Sequence, residues 1–320
     1  MCAIPYLLGF QPHDSAVLVW LAGGRIVLTQ RLDLPGSVRE LPAWREAVWS
    51  HAAAGESDEL IVVACAPAAG LVGECVADVL REAAERAIAV RDALRIEGDR
   101  WWSLLCTDPD CCPQDGRPVD PRARDRVAAE FTVLGRAPLA DRSAVAATLE
   151  PDPARVTEVA ACLDALATPA PSEVETWRDE ALGALDRRLI ATPETPVDGR
   201  WETARLLVSL GDIRVRDTLL WDVARLDAEH LASVLERLTA LLRAAPSGLV
   251  APAATCCAVI AWLMGDGVRA MMAVDRALTD DPQYSLAALV EASLRAGLAP
   301  RAWRDVMAAL PRDECRHGSR

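Results

Sequence analysis

The sequence predicts an α/β fold: an N-terminal mixed-sheet layer domain over residues 1–140, then an all-helical domain of paired helices over 141–320. Three observations carry this. Continuous apolar, β-rich runs at 16–21 and 59–65 alternate with helix-period segments up to about residue 134. Beyond residue 150 the apolar positions recur at helical spacing, interrupted only by short Gly or Pro breaks. Finally, 320 residues, 52% of them hydrophobic and 25% charged, suffice for two cores at roughly 150 residues per domain.

Taken in order, Ala16–Leu21 and Arg25–Thr29 read as a hairpin over 16–34. Its link Ala22-Gly23-Gly24 supplies residues that accept positive φ. Residues 39–54 read as a helix and Glu59–Cys65 as a second strand, apolar on both faces and therefore covered on both. Leu71–Arg86 is an amphipathic helix with Val72, Cys75, Val76, Val79 and Leu80 on one stripe. Ala87–Val90, Leu94–Ile96 and Trp101–Leu105 read as three further strands, and Asp120–Leu134 as a helix. Helices are then expected at 153–166, 172–190, 200–210, 213–225, 228–243, 252–264, 267–279, 284–296 and 300–310, with proline loops at 168–172 and 192–196.

One pair of these helices has tetratricopeptide spacing. With Pro282 as the closing proline, Ala270, Val274 and Ala277 fall where that repeat places its small, large and small residues. Ala258 and Ala261 fall where two helix backbones approach. The following unit fits worse, since Arg295 and Arg304 stand where small residues belong. Stacked tetratricopeptide-like hairpins and an ordinary helical bundle are both open readings.

Charge and composition remove several functions. Thirty-four basic residues, all arginine, face 47 acids for a net −13, and acids exceed arginines in both halves. No basic segment is present to meet phosphate backbones or anionic lipid, so neither nucleic acid nor membrane is an expected partner. Residues 244–265 carry no charge, but Pro246, Gly248 and Pro252 break the run, leaving a segment too short for a bilayer and suited to a buried helix. The first twelve residues have no basic region or long apolar core, so a cytoplasmic protein with reduced cysteines is expected. The four histidines, at 13, 51, 230 and 317, form no i,i+3 or i,i+4 pair, and no phosphate-binding, dinucleotide-binding or nucleophile-elbow motif is present.

Two constellations remain as candidates. Asp14 and Ser15 precede one hairpin strand, while Arg31 and Asp33 end the other. The hairpin therefore gathers Asp14, Ser15, Arg31 and Asp33 at one sheet edge, either as a ligand or cation site for a hydrolase or as a turn-capping ion-pair set. The run Cys106-Thr-Asp-Pro-Asp-Cys111-Cys112-Pro-Gln-Asp-Gly116 offers three thiols. These suit a zinc site lacking an evident fourth ligand, a redox pair, or reduced cysteines packed in an ordered loop beneath Trp101 and Trp102. Asp212 is placed to cap a helix and to pair with Arg216 at i,i+4. Most of the ten tryptophans belong in the core.

The segments LLGFQPHDSAVLV, RLDLP, DRWWSLLC, DCCPQDG, GDIRVRDTLLW and APAATCCAVIAWLMGDG, with AVDRALTDDPQYSLAALV, together resemble an actinobacterial family known as a domain of unknown function, number 4192. The resemblance runs across nearly the whole chain. It implies an intracellular protein, carries no activity with it, and makes Arg100, Trp101, Cys111, Cys112, Pro113, Gly116, Asp217, Gly265 and Asp266 family features. The expected function is non-catalytic: a scaffold whose helical domain binds another protein. A metal-assisted hydrolase at the sheet edge and a zinc-stabilised recognition protein are the alternatives.

Overall fold

The apolar run after Asp14 forms β1 (Ser15–Ala22), which pairs antiparallel with β2 (Arg25–Asp33). Gly23 and Gly24 link them at φ 55° and 75°, a conformation that a Cβ would penalise. On the other side of β1 lies β3 (Glu59–Cys65), also antiparallel, and β4 (Ala89–Glu97) runs parallel to β3. With β5 (Arg100–Ser103) and β6 (Arg117–Pro118) this makes a six-stranded mixed sheet in the order β2-β1-β3-β4-β5-β6. The computed structural model describes residues 1–51, 56–68, 70–133, 137–191 and 199–318.

Besides the strands, the chain up to residue 149 forms α1 (Ile4–Leu8), α2 (Leu41–Trp49), α3 (Val72–Glu85), α4 (Pro121–Val133) and α5 (Arg142–Leu149), the last contributing Leu149 to the core of the helices that follow. A parallel pair cannot be joined by a tight turn, and α3 is the crossover between β3 and β4. Its apolar stripe, Val72, Cys75, Val76 and Val79, packs with Trp44 and Val48 of α2. Both lie on the sheet face formed by Ala16, Leu18 and Trp20 of β1 and Leu60, Val62 and Ala64 of β3.

The expected strands at 87–90 and 94–96 are one strand. Arg91-Asp92 reads as a polar break, but Leu60 pairs with Val90 and Ile61 with Asp92, so Arg91 is an extra residue in a bulge. The Asp92 carboxylate accepts the Ala93 N–H, and Arg91 reaches Glu59 at 3.2 Å. The ends of the expected helices beyond His51 and Val133, and the proline loop 192–196, lie outside the described residues. Three short helices, α1, α5 and the C-terminal one, were not expected; five to eight residues are too few to display a helical period.

The chain divides into two compact units, Met1–Val145 with Arg295–Ala299, and Ala146–Leu294 with Pro300–Arg320. The second is helical. It contains α6 (Pro153–Leu163), α7 (Val174–Leu185, running into a π turn at Asp186–Ile190), α8 (Arg200–Gly211), α9 (Ile213–Val223) and α10 (Ala228–Arg243). These are followed by α11 (Val250–Leu263), α12 (Gly267–Asp280), α13 (Ser285–Arg295), α14 (Pro300–Ala309) and α15 (Arg312–His317).

All fourteen residues of α11 are buried, and α8, α9, α10, α12 and α14 are its neighbours. The uncharged stretch is therefore the axis of this unit. Pro252 sits in its first turn, where a missing N–H costs nothing. Ala258 and Ala261 of α11, with Ala270, Val274 and Ala277 of α12, are fully buried, which lets the two backbones approach closely. Among the described residues no helix is long and apolar enough to cross a membrane.

Asp212 caps α9, accepting from the N–H groups of Arg214 and Val215 at 2.9 and 3.1 Å. Its charged partner is not Arg216 but Arg178 of α7, at 2.9 Å. Arg216 instead points into the helical core, only 8% exposed, where it forks onto Asp217 at 2.7 and 2.9 Å and donates to the Tyr284 hydroxyl at 2.5 Å. Position 216 lies on the buried side of α9, next to Val215 and Leu219, so packing outweighs the i,i+4 pairing worth about 0.3–0.5 kcal/mol.

Candidate functional site

The α/β unit carries two concentrations of reactive side chains. The first lines a cleft of about 490 Å³ at the carboxyl ends of the parallel strands β3 and β4. Such strand ends are the usual ligand position of open α/β sheets, because the loops leaving them diverge. Ile4, Pro5 and Tyr6 of α1, with Pro12, Pro67 and Ile96, give it apolar walls; Gln11, His13, Asp14, Glu97 and Arg124 supply polar groups. Asp14 holds φ 44°, one of two non-glycine residues with positive φ among those described, and its carbonyl accepts the Leu34 N–H at 3.0 Å. Arg124 is held only loosely, 3.8 Å from Asp125. Cys65 also lines the cleft, but burial pushes its thiol up to about 11, so it is a protonated and poor nucleophile at neutral pH.

The four residues expected at the hairpin edge are only partly brought to this cleft. Ser15 stands opposite Asp33 on β2 and Cys65 on β3, and Arg31 is opposite Val17, so the hairpin does gather them at one end of the sheet. Asp14 alone lines the cleft. Ser15 is fully buried, which withdraws its hydroxyl from any substrate. Arg31 is committed to Asp33 at 2.7 Å and to the His13 carbonyl at 3.4 Å, an ion pair that closes the hairpin end. Arg124 and Glu97 escape the sequence reading because they line the same cleft as Asp14 only through the β3–β4 parallel pairing and the placement of α4.

The second concentration is the loop between β5 and β6. The sulfur atoms of Cys106, Cys111 and Cys112 all lie within 4.8 Å of one another, and all three are free thiols. Adjacent cysteines reach a common point because the chain turns sharply. The Cys112 N–H donates to the Asp108 carbonyl at 2.7 Å, and the Gly116 N–H to that of Pro113 at 2.9 Å. Side chains from the flanking strands fix the turn. The Ser103 hydroxyl accepts the Leu105 and Cys106 N–H groups, Trp102 Nε1 donates to Gln114 O, Arg100 donates to the Asp115 and Gly116 carbonyls, and Arg117 donates to the Cys111 carbonyl. The Arg95 guanidinium stacks on Trp102 at 3.5 Å from the ring centre.

The three thiols are not equivalent. The Asp108 backbone N–H, then the Cys112 thiol, hydrogen-bond to the Cys106 sulfur and hold its pKa below the ordinary thiol value. Burial, then hydrogen bonds among the cluster, pushes Cys112 up to about 11. Among the described residues no histidine or carboxylate joins the three sulfurs at comparable distance.

Gly116 completes the turn at φ 73°, and a Cβ there would lie 2.7 Å from Cζ2 of Trp102. Gly116→Ala is therefore expected to destabilise the protein by about 2 kcal/mol and to speed alkylation of Cys111 and Cys112, since both strain and the Trp102 contact oppose it. Urea unfolding and timed alkylation check this; a loss under about 0.5 kcal/mol with unchanged alkylation would refute it.

Residues 1–301 match the family model described as a domain of unknown function, DUF4192. The chain belongs to this family. No curated protein and no solved structure matches it. The family match spans the whole cleft and the complete thiol loop of this DUF4192 member, so both sites lie within the family domain.

Proposed function

We propose that this protein binds a small anionic molecule in the cleft at the carboxyl ends of β3 and β4. The observation that carries the reading is the cleft itself: about 490 Å³ places it among cavities that enclose a metabolite, and its few polar groups converge from three separate segments. Arg124 suits an anionic group, Asp14 and Gln11 suit hydroxyl or amide groups, and the Tyr6 and proline walls suit an apolar or aromatic body. His13, Asp14 and Glu97 are the cleft's groups suited to proton transfer, which keeps hydrolase-type chemistry as an extension of the binding reading.

The backbone of Asp14 supports the same reading. A carboxylate residue held in the left-handed region costs stability and persists where its position serves a purpose. Asp14→Gly is therefore expected to raise stability, by up to about 1 kcal/mol, while weakening ligand binding at least tenfold. Calorimetric titration of the full chain with small carboxylates and phosphate monoesters would identify a ligand. Arg124→Ala should abolish that binding, and unchanged affinity in both variants would place the site elsewhere.

A second reading gives the helical unit a protein partner. It rests on α14, an amphipathic helix of ten residues with no buried position, and on Trp201, Ile213, Leu289 and Val306, exposed on α8, α9, α13 and α14. The enclosed α11 counts against a concave tetratricopeptide-like groove, so a partner would dock on an outer helix face. Trp177 and Trp303 are half-buried against the helical core and add no exposed aromatic to such a surface.

A further inference from the structure

We propose that Cys106, Cys111 and Cys112 form a zinc site of three thiolates with an open fourth position. It is a second site in the α/β unit, separate from the cleft and independent of the binding reading given for it.

The argument starts from the donor set. Three sulfur atoms within 4.8 Å of one another need to close only modestly to reach the spacing of about 3.8 Å that tetrahedral zinc imposes at Zn–S distances near 2.3 Å. Sulfur alone is a soft set. It selects against magnesium, calcium and manganese, which take oxygen ligands. An unrestrained loop would let three like groups drift apart. Here the strands hold it through Trp102, Arg100, Arg117 and Ser103, so the thiols are held together before any ion binds. The Asp108 N–H aimed at the Cys106 sulfur is the kind of donor that stabilises a metal-bound thiolate.

The fourth position follows from what surrounds the cluster. No histidine, aspartate or glutamate among the described residues comes within the same range, so the protein supplies three ligands only. Structural zinc sites are closed by four protein ligands, and sites that exchange or activate a ligand keep one position free. Cys111 is exposed and Cys106 and Cys112 half-buried, which leaves solvent or a small donor molecule able to reach the ion. On binding, three thiols release three protons to solvent as three Zn–S bonds form, so affinity must fall as the pH is lowered.

The test uses the full-length chain, fully reduced, with zinc and then cobalt as probes. Zinc is titrated in competition with a chromophoric chelator; one equivalent per chain is expected, with affinity at least 100-fold higher than in the variant carrying Ser at 106, 111 and 112. Cobalt in the same site is expected to give the intense visible bands of tetrahedral thiolate coordination, and added imidazole should shift them if the fourth position is open. Bands that do not respond to imidazole would overturn the open position. Stoichiometric copper(I) binding with zinc excluded would overturn the choice of ion.

A measurement on the unmodified protein guards against misfolded variants. Zinc should protect Cys106, Cys111 and Cys112 from iodoacetamide, read by mass spectrometry, without protecting Cys2. Equal alkylation with and without zinc would remove the site.

Discussion

Trp20→Ala is expected to cost about 3–5 kcal/mol, the largest loss of any single substitution in the α/β unit. Trp20 is 0% exposed at the middle of β1, between β2 and β3. Its ring meets Trp49 edge-on with centroids 5.2 Å apart, and its Nε1 donates to the Gln30 side chain at 3.1 Å. Gln30 in turn donates to the Ala47 carbonyl at 2.9 Å, so one indole ties the edge strand β2 and helix α2 to the sheet centre. Truncation opens a cavity and leaves the Gln30 carbonyl oxygen without its indole donor, two penalties that add. Urea unfolding should show the loss, and hydrogen exchange at the β1 and β3 amides should accelerate. Trp20→Phe should cost less, since it keeps most of the packing and loses only the donor. A loss below about 1 kcal/mol for Trp20→Ala would mean that this face of the sheet is not packed as described.

The second large effect belongs to the helical unit. Asp217→Ala is expected to destabilise by about 2–3 kcal/mol, because it leaves the buried Arg216 guanidinium without its carboxylate. The figure sits below the range for a fully buried pair because the Asp217 side chain is 35% exposed and Tyr284 still accepts one N–H. The same physics predicts a rescue. Arg216→Met combined with Asp217→Ala removes the stranded charge and should recover most of the loss. If the double variant is no more stable than Asp217→Ala alone, the carboxylate is not compensating Arg216 and another interaction of Asp217 is at work.

The two sites differed in how far the sequence disclosed them. The thiol cluster was visible because its ligands lie within seven residues, and Pro113 and Gly116 are turn formers on their own account. What fixes that turn was less visible: Arg100 and Trp102 act across a strand pairing, and only the β4–β5–β6 register puts them beside the loop. The cleft was half disclosed. Asp14 was a candidate for its place before a strand, but the grouping offered with it was a hairpin-end ion pair, since adjacency in a hairpin cannot distinguish a ligand site from a cap.

Helix and strand positions came from local information, and local information suffices where burial repeats with a regular period. The amphipathic stripe of α3, the two-faced apolar strands β1 and β3, the Gly23-Gly24 turn and the uncharged α11 each state their environment in a few consecutive residues. Tertiary structure alone decided which strands are neighbours, that Arg91 is a bulge within one strand, that Arg216 turns inward to Asp217 and Tyr284, and that α11 is wrapped on all sides. Each of these is a choice among long-range contacts that are locally equivalent. Period and composition tell a residue to be buried, but the partner that buries it is set by how the remaining elements fill the space around it.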